Sequence, residues 1–155
     1  MTFPETHHRV TRAAAKLATM ERSHREFVEA LIQSASNLRA IGTITELEGE
    51  VSARCLGLDL LVAHRPVAID GTPKLVEYAF FAHLDDETHR HCVFAFYLHA
   101  AEQACYLDVH GTERISDADN PDLSLVVITY LADALLQSAA FSPIQLAHRG
   151  SVAAL

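Results

Sequence analysis

Apolar residues in the first forty positions return at a helical interval. Val10, Leu17, His24, Leu31 and Leu38 stand seven apart, and Ala13, Met20, Phe27, Ser34 and Ile41 repeat that spacing three positions later. Both sets fall on one stripe of a single helix. Its start is marked by Thr2 as N-cap, Pro4 in the first turn and Glu5 three residues after the cap, the arrangement of a capping box. Gly42 is expected to end it. The Ala and Ser positions make poor knobs for a coiled coil, so the stripe reads as a helix laid across a sheet more than as a seam between subunits.

From residue 43 the period changes to two. TITELEG offers a short edge strand, and four runs alternate after it: Leu56, Leu58, Leu60 and Val62; Val76, Tyr78, Phe80, Ala82 and Leu84; Cys92, Phe94, Phe96 and Leu98; Cys105, Leu107 and Val109. Each run presents one apolar face. The links at Asp70-Gly71, across DDETHR and around Ala101-Glu102-Gln103 are too short for a crossover helix, so the strands pair antiparallel in a meander.

Asn120 and Pro121 then stand where an N-cap and a first-turn proline open a second helix. From Leu123 to Phe141 the chain is nearly all apolar, with Thr129, Asp133 and Gln137 on one narrow polar line, and Ser142-Pro143 closes it. A helix wetted along so thin a strip must be covered round most of its girth, by the first helix or by a second copy of the chain. The predicted architecture is therefore α+β: a long N-terminal helix, an antiparallel four- or five-stranded meander sheet and an apolar C-terminal helix packed on one sheet face. Residues 1–142 are expected to form a single domain, and 143–155 a mobile C-terminal tail.

With 50% apolar and 21% charged residues, the composition is that of a globular chain and not a disordered one. The net charge of -8 is unevenly spread: residues 1–39 hold six bases and four acids, a balance of +2, and the remainder carries -10. An acidic body repels a phosphate backbone, so nucleic acid is not an expected partner. The weakly basic first segment reads as a solvated helix face. Cys55, Cys92 and Cys105 lack the spacing of a metal clip or a redox disulfide and read as reduced core thiols. No apolar run has the length of a membrane span and no leader pattern opens the chain, which leads to the expectation of a cytoplasmic protein with no membrane partner. The excess of arginine over lysine and the abundance of alanine point to a GC-rich bacterial genome.

Chemistry enters with the ten histidines. Strand alternation sends Asp59, Glu77, His83, His91, Tyr97, His99, Tyr106, Asp108 and His110 to the face opposite the apolar set. If Leu61 opposes Phe81 and Tyr97 opposes Tyr106, then Asp59, His83, His91 and His110 gather at one end of that face, beside loop residues Asp85, Asp86, Glu87 and His89. Imidazoles with a carboxylate suit zinc or another divalent first-row ion, and an open coordination position there would activate water. A half-wet sheet, however, carries polar residues on its outer face without any ligand. Motifs for a serine nucleophile elbow or a phosphate-cradling loop are missing, and adjacent His91 and Cys92 point to opposite faces of a regular strand. His24, inside the helical stripe, reads as a packing histidine.

The apolar second helix, the long first helix and the acidic surface thus point to a small non-enzymatic dimer, a homodimer that recognises a protein or a small apolar ligand without a cofactor. Phe80, Phe94, Phe96 and Leu131 are the residues expected to line its cavity or interface. The alternative is a metal-dependent hydrolase-like enzyme using the Asp59, His83, His91 and His110 cluster.

Overall fold

The computed structural model describes residues 1–34, 41–83 and 90–143. Helix α1 runs over Phe3–Gln33, and its start has the capping box read from the sequence: the Thr2 side chain accepts from the Glu5 N–H, and the Glu5 carboxylate accepts from the Thr2 N–H at 2.9 Å. Its burial is uneven. Met20, His24, Phe27, Val28 and Leu31 are buried, whereas Val10 is 56% and Phe3 80% exposed. Ser34 caps the helix, so it ends well before Gly42, which instead opens the sheet. Positions 35–40, including Leu38 of the stripe, lie outside the described residues.

Among the described residues seven strands follow, not four or five: β1 (Gly42–Leu47), β2 (Glu50–Cys55), β3 (Leu58–Ile69), β4 (Thr72–His83), β5 (Arg90–His99), β6 (Ala104–Tyr106) and β7 (Arg114–Asp117). They lie in sequence order in one curled antiparallel sheet. The higher count has a local cause. Glu48-Gly49 and Leu56-Gly57 are two-residue hairpin turns of the same kind as Asp70-Gly71: the first residues have φ of 53°, 52° and 51°, and the glycines 83°, 82° and 77°. Both positions of a type I′ turn need positive φ, which glycine adopts freely and leucine rarely does. Leu56 therefore reads as a strand residue until the backbone is seen. Strand β7 was not signalled, because its four residues carry only one apolar alternation.

The register agrees with the reading at two anchor points, Leu61 opposite Phe81 and Tyr97 opposite Tyr106. Between them a β-bulge intervenes. Phe80 faces Phe94 but Phe81 faces Cys92, so Val93 is an extra residue on β5. One added residue inverts the parity of everything beyond it. Cys92 is thrown to the face away from the helices, and His91 comes to the helix side opposite Ala82.

On the helix-facing side Tyr78, Phe80, Phe96 and Leu98 pack with Met20, Phe27 and Leu31 of α1 and with Leu123, Val127, Ile128, Leu131 and Leu135 of α2 (Leu123–Leu136). Each such side chain, taken wholly out of water, contributes about 1.5–3 kcal/mol relative to exposure. Helix α2 begins two residues later than Asn120 and Pro121 suggest. Asn120 instead organises the preceding turn, its Oδ1 accepting from the Asp122 N–H at 2.9 Å. The helix also stops at Leu136, and a separate 3-10 turn (Ala139–Phe141) carries the chain to Ser142. Thr129, Asp133 and Gln137 are exposed as the polar line requires, but so are Leu125, Tyr130 and Leu136. The end of α1 meets the start of α2, where the Ser124 hydroxyl donates to the Leu31 carbonyl and the Ser34 hydroxyl donates to Ser124 Oγ at 2.9 Å. Helix α1 does not lie along α2. The tail expected at 143–155 falls, from residue 144, outside the described residues. Among the described residues no helix is long and apolar enough to cross a membrane.

Candidate functional site

Both helices cover one face of the sheet, and the other face is read in rows across the strands. Three strands in register place Ala63, Ala79 and Ala95 side by side. The row on one side is Leu61, Phe81 and Cys92, and the row on the other is Arg65, Glu77, Tyr97, Tyr106 and Arg114. Neighbouring strands are about 4.8 Å apart and same-face residues about 7 Å apart along a strand, so the alanines floor a trough roughly 10 Å long between two taller walls. Its volume is about 450 Å³.

The polar wall is held by its own contacts. Arg65 Nε donates to Glu77 Oε1 at 2.7 Å, with the arginine side chain 73% exposed and the glutamate 17%. A pair this wet contributes little stability, of order 0–1 kcal/mol, and its effect is to orient the two groups. The hydrogen bond to Glu77 and its charge raise the Arg65 pKa. Burial, then the hydrogen bond and charge of Glu77, hold the Tyr97 phenol above its ordinary value, so it stays a neutral donor. At the other wall the exposed Cys92 thiol contacts the Phe94 carbonyl at 3.5 Å. Beyond the polar wall the same face closes over: Leu75 and Ala104 are fully buried, Gly111 lies against the Tyr106 ring, and Asp108 ties the intervening turn by accepting from the N–H groups of Thr112 and Glu113. Those hydrogen bonds, with the Glu113 N–H foremost, lower the Asp108 pKa. The buried His99 Nδ1 has no hydrogen-bond partner among the described residues.

A second cluster sits under α1. The His24 and His64 rings stack with centroids 3.7 Å apart, and His24 Nδ1 lies 2.8 Å from the Tyr78 hydroxyl. Burial first, and then the neighbouring His64, lower the His24 pKa, while Glu21 opposes and Arg25 adds to the fall. Burial also raises the Tyr78 phenol far above its usual value. His24 is thus the packing histidine that the helical stripe implied, held through a hydroxyl on β4.

The four positions read as metal ligands do not come together as one group of three or more. Asp59 lies opposite Arg54 and pairs with it at 3.5 Å; His83 faces Arg90; His91 faces Ala82; and His110 lies in the turn after β6 and not on a strand. The bulge at Val93 and the early end of β6 are the physical reasons. Among the described residues no three His, Cys, Asp or Glu side chains gather as a ligand set. Asp85, Asp86, Glu87 and His89 lie outside the described residues. Phe80, Phe96 and Leu131 are fully buried in the packed core with Phe94 partly covered beside them, and Phe80 and Phe96 stand 6.2 Å apart between ring centroids. They fill the space between helix and sheet. The alanine row was missed in the sequence, though a signal exists: small residues recur at the outward parity of three successive strands, and register alone aligns them.

Compared with known proteins, the chain matches no family model, no curated protein and no solved structure.

Proposed function

We propose that the chain is a non-enzymatic, dimeric binding module that takes a small apolar ligand on the open face of its sheet. The observation that carries this reading is the aligned row Ala63, Ala79 and Ala95 between the Phe81 and Tyr97 walls. Alanine at three adjacent outward positions leaves a floor on which a flat or short-chain apolar body can rest, and apolar area removed from water there is worth about 25 cal/mol per Å² before the costs of association. The polar groups nearby are engaged with one another, which suits orientation of a ligand more than turnover of a substrate. The test is a titration with the neutral fluorescent probe N-phenyl-1-naphthylamine. Saturable binding is expected, lost in Ala63→Leu and Ala95→Leu, which fill the floor at positions that are not fully buried. Unchanged binding in both variants would overturn the assignment to this face.

Dimerisation is favoured by a separate observation. Leu125, Tyr130 and Leu136 stay exposed on α2, with Leu136 at 58%, and α1 meets that helix at its start. Leu125 and Leu136, eleven residues apart, fall on one line of the helix, and exposed apolar side chains that share a helix face suit an interface. Light scattering at several concentrations should return the mass of two chains, and Leu125→Glu with Leu136→Glu should return one. A wild-type monomer at all concentrations would remove the dimer.

A further inference from the structure

The line of α1 that faces the sheet is continuous at helical spacing: Arg9, Ala13, Lys16, Met20, His24, Phe27 and Leu31. From Met20 onward it is buried, but its first three positions bring two cations and a methyl group to a place where a packed helix would carry apolar side chains. Over this half the helix rides above the tip of the β3–β4 hairpin, Gly71-Thr72-Pro73, and leaves a cleft of about 580 Å³. Arg12 and His8 line the same cleft, and Glu5 is the acid there, its carboxylate engaged by the Thr2 N–H of the capping box. Arg9, Arg12 and Lys16 form no salt bridge with a described acid. In a chain of net charge -8, three of the twelve Lys and Arg residues thus converge on one concavity. Like charges brought together raise the local potential, and a cleft with low-dielectric walls focuses it onto a counter-ion.

We propose that this cleft is a binding site for a small, multiply charged anion, a phosphate ester or a polycarboxylate, held between the guanidinium groups of Arg9 and Arg12 and the ammonium of Lys16. Guanidinium groups match phosphate and carboxylate oxygens with paired N–H donors, and Ala13 leaves the room that a larger side chain would take. The site lies at the hairpin tip under α1, apart from the alanine trough, and does not depend on it.

The experiment is isothermal titration of the full chain with inorganic pyrophosphate and, separately, with citrate, at constant ionic strength set by potassium chloride. One saturable site is expected, weakening as salt rises, with a ligand-dependent increase in melting temperature. The two anions distinguish a phosphate site from a carboxylate site. Arg12→Gln with Lys16→Gln, which remove charge at an exposed and a half-buried position, should weaken binding at least about tenfold. Ala13→Phe, which keeps every charge and fills the cleft, should weaken it as much; diffuse surface attraction would leave that variant unchanged. Equal affinity in all variants, or no saturable binding of either anion at millimolar concentration, overturns the proposal. Binding to phosphatidylglycerol vesicles without binding to either small anion also overturns it, and would assign the cations, with exposed Phe3, Val10 and Leu17, to a membrane surface.

Discussion

Tyr78→Phe isolates one buried hydrogen bond. The ring stays, and with it the contacts to Phe27 and Phe96, each 5.1 Å between centroids. Only the hydroxyl leaves, and with it the partner of His24 Nδ1 at 2.8 Å. His24 is 8% and Tyr78 2% exposed, so water does not readily replace the lost group. A buried polar atom stripped of its partner costs about 1–3 kcal/mol, whereas replacing both partners by apolar groups is close to neutral. His24→Leu strands the Tyr78 hydroxyl in the same way. The two single changes should therefore each destabilise, and the double variant should lie above their sum by about 1–3 kcal/mol. The loss of stacking against His64 occurs in both variants that lack the imidazole and cancels in the cycle. Urea unfolding at pH 7.5 is the assay, with a constant m-value as its check; thermal midpoints should move roughly 2–4 °C per kcal/mol in a chain of this size. A coupling below about 0.5 kcal/mol would show that the contact is structural coincidence and that the helix is held by apolar packing alone.

Three further outcomes follow from the same structure. His24 has a pKa held below its reference value of 6.5 by burial and by His64, so the unfolded chain binds the extra proton first; stability that is full above about pH 6.5 should fall with pH until the lowered folded value is passed, and the His24→Leu profile should lack this component, a fall of the same size in that variant refuting the assignment. Cys92 is exposed, whereas Cys55 and Cys105 are buried with thiols pushed up by burial, Cys105 to about 12. Ellman's reagent should therefore modify one thiol rapidly in the folded protein and all three after unfolding; the absence of any fast phase would contradict the parity inversion at Val93, which is what exposes Cys92. Glu48 is exposed with φ of 53° in front of Gly49, so Glu48→Asn, the preferred residue at this place in a type I′ turn, should stabilise by about 0.5–1 kcal/mol, and a lower urea midpoint would count against the turn assignment.

Local signals carried much of this fold in the sequence. The capping box at Thr2, the seven-residue stripe, the alternating runs and the Asp70-Gly71 turn are all interactions between near neighbours, and the chain of helix, antiparallel sheet and helix follows from them. Short links between alternating runs also sufficed for the pairing of Leu61 with Phe81 and Tyr97 with Tyr106. What they left open were events decided by more than the local sequence: a leucine accepted at positive φ in the Leu56-Gly57 turn, and an early stop of α1 at Gln33.

Tertiary structure alone decided the site. A single bulge at Val93 moved Cys92 and His91 to opposite faces from those that alternation assigns and so parted His91 from His83, whereas the three alanines lie before the bulge and are aligned by the hairpin register itself. Strand periodicity specifies a face only up to the first inserted residue, and an insertion is stabilised by packing across the sheet, not by the residues that flank it. The basic first segment illustrates the same division: its charges are plain in the sequence, but only the height at which α1 passes over the β3–β4 hairpin turns a solvated helix face into a cleft.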